Sequence, residues 1–151
     1  MIDALGYVLI GTPDIPGWLR MATAIAGLQA DEVDPGRTVR LRMDGKVQRL
    51  LLQGATGKPT LGMGYTVAGP EVLETAVRKV EDAGFAVTPS TPEERALRGV
   101  TAMAHFRDPD GYRVELPAVC RMRPRRSHPA ARSAVFAHTR AAPTWASAIP
   151  P

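Results

Sequence analysis

Residues 98–116 read RGVTAMAHFRDPDGYRVEL, and the reading of this stretch decides the fold. Thr101–Phe106 and Tyr112–Leu116 are strand candidates on either side of Asp110-Gly111, a pair that favours the left-handed backbone angles of a tight turn. The two runs therefore read as a closing hairpin. Three features within it could carry chemistry. His105 lies inside a strand, where alternation decides its face, and a lone strand histidine is more often packed or at the surface than a ligand or a base. Glu115 stands between Val114 and Leu116, so on a final strand it points either to solvent or into the hollow of a curved sheet. Asp108 and Asp110 resemble an acid pair, but Pro109 and Gly111 at that spacing favour a turn.

Upstream of the hairpin, TPSTPEERALRGV at 88–100 reads as a loop and Phe85–Thr88 as a short strand. Before them PEVLETAVRKVEDAGF, at 70–85, has the apolar residues Val72, Leu73, Ala76, Val77, Val80 and Ala83 on one helical stripe. Pro70 suits its first turn and Gly84 its C-terminal stop. LGMGYTVAG at 61–69 is a strand containing Gly64-Tyr65. The same dipeptide stands at Gly6-Tyr7 in the apolar run 4–10, ALGYVLI, which ends at Gly11 and Pro13.

After that first run the pattern is the same. Thr12 or Asp14 can cap a helix whose stripe is Ile15, Trp18, Leu19, Ala22, Ile25 and Ala26, with Gly27 as the stop. A weak strand at Leu28–Val33 precedes Thr38–Met43 and Val47–Leu52, which flank Asp44-Gly45 as a tight hairpin. Each half is strand, helix, strands. The repeat distance is 58 residues at Gly-Tyr and 66 at Asp-Gly, the surplus falling in the loop 88–100. The expected fold is α+β, two tandem βαβββ units at about 1–58 and 59–117, against the alternative of a single irregular α+β sheet. Tyr7 and Tyr65 then sit early in the first strand of each unit, where packing is their ordinary role and a shared pocket would need both hydroxyls on one face.

Composition sets further bounds. A chain of 151 residues with 44% apolar content can bury one ordinary core. The formal charge of +4 is unevenly placed: residues 1–117 carry −2, whereas residues 118–151 carry six Arg, no Lys and no acid. Cys120 is the lone cysteine, so no intramolecular disulfide can form, as suits a reducing cytoplasm. The opening MIDALGYVLIGTPD lacks a basic leader, and no apolar run approaches the about 18 residues of a membrane span, so the expectation is a soluble cytoplasmic protein with no membrane partner. His105, His128 and His138 are all the imidazole present, and no phosphate-binding glycine loop, nucleophile elbow or Cys/His cluster occurs.

Residues 118–151 have Arg, Ala and Pro in excess, no amphipathic period and a Pro-Pro end, the profile of a disordered low-complexity tail. CRMRPRRS could bind nucleic acid through phosphates, but without interleaved aromatics for stacking this is not the expected role.

The tandem plan, the opening IDALGYVLIGTPDIPGWLRMATAIAGL, the segment LRMDGKVQRLLLQ and above all Phe106–Leu116, F-x-D-P-x-G-x-x-x-E-L, together resemble the vicinal oxygen chelate superfamily. Within it, residues 2–116 are most similar to the N-terminal domain of type I extradiol ring-cleaving dioxygenases, such as the 2,3-dihydroxybiphenyl 1,2-dioxygenases. The resemblance implies a catechol-cleaving parent in which Fe(II) is held by two His and one Glu of a second, C-terminal domain. It implies that the N-terminal domain is the metal-free copy. Here Tyr7 occupies the first-strand histidine position, strand 61–67 has no His, strand 47–52 offers Arg49, and Glu115 is the only position matching a family ligand.

No catalytic, cofactor or metal residue is therefore expected in this chain. Its expected partners are the catalytic domain, or a second copy through an apolar face near Leu50–Leu52 and Met103–Phe106. In such enzymes the second domain opens with Gly-Leu-Gly-His. Trp145–Ile149 written as TGG GCC TCG GCC ATA gives that tetrapeptide from its third base, so the tail reads as the out-of-frame start of the missing domain, with a genuine basic tail as the alternative. The alternative function is a metal-free module that sequesters small molecules, as bleomycin-resistance proteins do.

Overall fold

The computed structural model describes residues 2–120. Strand β1 (Ala4–Thr12) leads into helix α1 (Ile15–Arg20) and a π-helical turn (Met21–Ile25), followed by β2 (Gln29–Asp34), β3 (Thr38–Arg42) and β4 (Leu50–Gly54). The second half comprises β5 (Thr60–Thr66), α2 (Pro70–Asp82), β6 (Thr88–Pro89), α3 (Pro92–Arg98), β7 (Val100–Arg107) and β8 (Arg113–Cys120). One eight-stranded sheet runs in the order β2-β3-β4-β1-β5-β8-β7-β6. Strand β1 is parallel to β4 as β5 is parallel to β8, and β1 and β5 join the halves antiparallel. The α+β class and the tandem βαβββ plan are those expected from the repeat.

Alternation divides the side chains between two faces. On one face Ile10, Val39, Leu41 and Leu52 pack beneath Ile15 and Ala22, while Ala104, Leu116 and Ala118 pack beneath Leu73 and Ala76 of α2. On the other face Tyr7, Leu9 and Leu51 meet Leu97 of α3. That helix lies where the sequence reads as a loop. Thr91 accepts a hydrogen bond from the Glu94 amide and Glu94 accepts one from the Thr91 amide, a reciprocal cap, and Gly99 at φ 67° ends the helix.

The structure corrects other local expectations. Met43–Arg49 is a loop and not a tight two-residue turn. The Asp44 carboxylate accepts from the Lys46 amide and from Arg49, Gly45 does not take a positive φ, and β4 starts at Leu50, not Val47. Gly111, at φ 86°, does turn the closing hairpin, with Asp108 accepting from the Tyr112 amide. In the first helix the Ala26 amide reaches the Met21 carbonyl, five residues back, and this wider turn rotates Ile25 out of the expected stripe to 83% exposure. Asp14 is the cap, accepting from the Gly17 amide at 2.8 Å.

Of the expected strand Phe85–Thr88 only Thr88 is in strand, where β6 comprises Thr88–Pro89. Strand β8 continues to Cys120, past Pro117, and Ala118 is fully buried. The expected association face is also corrected: Leu51, Leu52, Met103 and Ala104 are buried, because α1, α2 and α3 cover both sides of the sheet where they stand. The expectation of a disordered tail, with its arginine run, falls on residues outside those described.

Candidate functional site

Four places lie level with one another across the middle of the sheet. Tyr7 pairs with Gly64, Gly64 pairs with Glu115, and Arg49 stands one step before the Val8–Leu50 pair. Gly64 is required there: a Cβ on it would come within 2.5 Å of the Tyr7 ring. The Tyr7 hydroxyl thereby reaches across the neighbouring strand and donates to Glu115 Oε2 at 2.6 Å.

Glu115 is fully buried, and donors from β1, α3 and its own strand surround it. Arg98, at the end of α3, donates from Nη2 to Oε1 at 2.9 Å and from Nε to Oε2 at 3.1 Å. Arg113 donates from Nε to Oε1 at 2.7 Å and from Nη2 to Glu94 Oε1 at 2.6 Å. Burial alone would raise the Glu115 carboxyl, but the Arg98 hydrogen bonds and charge, with Tyr7 and Arg113, outweigh it and hold the group below its ordinary value of 4.5. The carboxylate is ionised at neutral pH and its lone pairs are spent on these donors. His105 is half-buried at the edge of this network, 4.0 Å from Glu94, and burial followed by the Arg113 charge lowers its pKa below 6.5. It is predominantly neutral at pH 7.

Helix α3 is fastened at both ends of this network. Arg40 donates to the carbonyls of Ala96 and Leu97, and Arg113 holds Glu94. Beside it runs an open cleft of about 770 Å³, whose walls include Leu9, Gly62, Glu93, Leu97, Arg107 and Arg113. The cleft mixes three arginines with acids and has an apolar floor, so it could receive a small organic molecule.

Of the residues singled out in the sequence, Tyr7 and Glu115 come together. Tyr65 does not join them: a bulge lies between Leu5, opposite Tyr65, and Tyr7, opposite Gly64, and Tyr65 packs on the α2 side with its hydroxyl near Met63 Sδ. Asp108 serves the hairpin turn. Sequence reasoning missed Arg98 and Arg40. Arg98 was accessible through the signature Thr91-Pro92-Glu93-Glu94, which opens a helix and so places Arg98 on it.

A facial His and carboxylate set is what an Fe(II) centre with open positions needs. The row Arg49, Tyr7, Gly64 and Glu115 does not fit it, since its one carboxylate already accepts from two guanidinium groups and a hydroxyl. Among the described residues no three His, Cys, Asp or Glu side chains are grouped to hold a metal ion. No described helix is long and apolar enough to cross a membrane.

Paired βαβββ units sharing one sheet, with a closing hairpin that presents a carboxylate inward, are consistent with the vicinal oxygen chelate class of domain. The relatives are more particular. The chain is 29% identical over 115 residues to 1,2-dihydroxynaphthalene dioxygenase of Sphingobium xenophagum, covering 76% of this chain and 39% of that protein. It is 31% identical over 116 residues to biphenyl-2,3-diol 1,2-dioxygenase of Paraburkholderia xenovorans, covering 76% and 38%. Among solved structures, BphC, a halotolerant catechol dioxygenase, superposes with a TM-score of 0.77 at 30% identity over 82% of this chain and 42% of that one. No protein-family model matches. The homologues of this chain are extradiol dioxygenases of aromatic-compound degradation, and the fold agrees with their N-terminal domain. The chain spans about two-fifths of the length of the curated relatives it matches.

Proposed function

We propose that this chain is the metal-free, structural N-terminal part of a catechol ring-cleaving extradiol dioxygenase, inactive until it meets a catalytic domain that holds the Fe(II). The observation that carries the reading is the row Arg49, Tyr7, Gly64 and Glu115. At the place where a metal-bearing unit presents ligands, this one has an internal ion pair closed by Arg98. The share of the relatives that the chain leaves uncovered supports a further domain as the partner and as the home of iron and catechol. On this reading the protein is cytoplasmic, and the residues after β8, 121–151, are a frame-shifted start of that domain.

The test uses the full chain. After dialysis, elemental analysis is expected to find only substoichiometric Fe, Mn and Zn, and oxygen uptake with 2,3-dihydroxybiphenyl is expected to be absent. A separately expressed C-terminal half of a homologous dioxygenase should gain ring-cleaving activity when the chain is added. One firmly held iron per chain, or no gain on mixing, overturns the reading. The nucleotide sequence after codon 112 tests the frame.

A second reading, a metal-free module that sequesters small molecules, is favoured by the open cleft beneath α3. Saturable binding of an aromatic ligand by the chain alone, with no effect on the catalytic half, would select it.

A further inference from the structure

The first helices of the two units are equivalent in the duplicated plan, yet their outer surfaces differ. Of the eight exposed positions of α2 six are charged, Glu71, Glu74, Arg78, Lys79, Glu81 and Asp82, as is usual for a helix with one side in water. In α1 and the π-helical turn the exposed positions are Pro16, Arg20, Met21, Thr23, Ala24 and Ile25, and only Arg20 is charged. Ile25 is 83% exposed and Met21 39%. The backbone itself builds this exposure. The Ala26 amide bonds the Met21 carbonyl at 3.1 Å, one residue beyond the ordinary helical reach, and the wider turn carries Ile25 outward. Such turns recur at functional sites. Apolar residues exposed singly are ordinary, but a helix face that groups them with almost no charge marks a surface that another body covers.

Two observations select the occupant. The first is size: six exposed positions fall well below the about 20–30 residues a side of a stable interface, so a second copy seated here would be held weakly. A domain tethered by a linker needs less, because the linker supplies a local concentration on the order of mM. The second is place. Strand β8 is parallel to β5, which is antiparallel to β1, so Cys120 lies at the end of the sheet where β1 begins. Strand β2 runs in the direction of β1, through β3 and β4, and so begins at that same end. Ile25 stands four residues before β2 and therefore shares this end with the exit of the chain. The five strand steps from β8 to β2 amount to roughly 24 Å. About seven or eight extended residues span that distance.

We propose that the outer face of α1 and the π-helical turn, centred on Ile25, is the surface on which the catalytic domain docks, meeting it with an apolar patch of its own. This inference rests on the dioxygenase reading, on which about three-fifths of the relatives' length follows the matched part. It assigns the missing contact to a helix face and not to the sheet.

The experiment measures binding of the full chain to the immobilised, iron-loaded C-terminal half of a 2,3-dihydroxybiphenyl dioxygenase, with ring-cleaving activity followed in parallel. Ile25→Lys and Ala24→Lys place a charge on the face, and Thr75→Lys, at an exposed position of α2, is the control. All three side chains face solvent, so the melting temperatures should stay within about 2 °C of the unsubstituted chain. Each α1 variant is expected to weaken binding at least about tenfold and to reduce the activity gain at fixed concentration, whereas Thr75→Lys should change neither more than about twofold. Ala24→Lys serves if Ile25→Lys does not fold. Should the α1 variants bind and activate as well as the unsubstituted chain, this inference falls and the dioxygenase reading stands. Should the unsubstituted chain neither bind nor activate, both fall. Sedimentation of the chain alone supplies the remaining outcome: a dimer broken by Ile25→Lys would assign the face to a second copy and overturn the proposal.

Discussion

In the first unit the residue level with Tyr7 on the approach to β4 is Arg49; in the second, the residue level with Gly64 on β8 is Glu115. These places are equivalent in the duplicated plan and carry opposite charges. Arg49 finds Asp44 within its own loop and keeps 30% of its side chain exposed. Glu115 is sealed, and beside Arg113 of its own strand its partners come from β1 and from the end of α3. The difference shows how an insertion changes a repeat: the longer connection before β7 folds into α3, and this helix supplies the cation that lets a carboxylate be buried. A half-exposed local pair is worth little, whereas removing one member of a buried network leaves an uncompensated charge.

The largest effect is expected from testing that contrast directly. Glu115→Gln should cost about 3–5 kcal/mol in urea unfolding, since it strands Arg98, while Arg49→Gln should cost about 1 kcal/mol. Replacing both members, Arg98→Met with Glu115→Leu, should cost less than Glu115→Gln alone. Equal losses for Glu115→Gln and Arg49→Gln would remove the distinction between the units. The pH profile sharpens it. Because the folded state lowers the Glu115 pKa, the unfolded state binds more protons in the window below 4.5, so this stability is fully present above 4.5 and is lost as the pH falls through the lowered value. His105 adds the same sign from 6.5 downward, its folded pKa also being lowered. In Glu115→Gln the acid limb should flatten, and in His105→Gln the limb just below 6.5.

Gly64→Ala comes next, at about 1–3 kcal/mol, because its Cβ meets the Tyr7 ring and pushes the hydroxyl from Glu115. Gly54→Ala, where an added Cβ meets only ordinary contacts at 3.5 Å and beyond, is the control and should stay within about 0.5 kcal/mol. A Tyr7→Ala background should remove most of the Gly64→Ala penalty if the ring is its cause. Thr91→Ala should cost about 1 kcal/mol by uncapping α3, the helix the first unit lacks.

The smallest effect concerns residues 121–151: cutting after Cys120 should move the melting temperature by about 1–2 °C at most. Cutting after Pro117 should cost more, since Ala118 is buried and its carbonyl accepts from the Thr101 hydroxyl at 3.2 Å. Calorimetry on the two truncations separates them.

Local pattern alone made much of this molecule legible. The 3.6-residue stripe of α2, the strand alternation around Glu115, the Asp110-Gly111 turn and the recurrence of strand, helix, strands are set by short-range periods. Short-range sterics enforce these whatever the rest of the chain does. They were sufficient for the α+β class and for singling out Glu115. Asp44-Gly45 misled because a side-chain carboxylate competing for nearby donors opens a loop that the dipeptide would otherwise close.

What only the tertiary structure decided is which faces and which partners. Alternation orders neighbours relative to one another, but the bulge between Leu5 and Tyr7 sends the two matched tyrosines to opposite sides of the sheet. Of the groups around Glu115, Arg113 stands two residues away on the same strand, but Tyr7 and Arg98 come from positions that no local period links to it. Their meeting depends on β5 lying between β1 and β8, with a glycine where the tyrosine ring must cross. The sequence determined the elements and their repeat through local sterics and hydrophobic period; long-range packing determined the chemistry of the row.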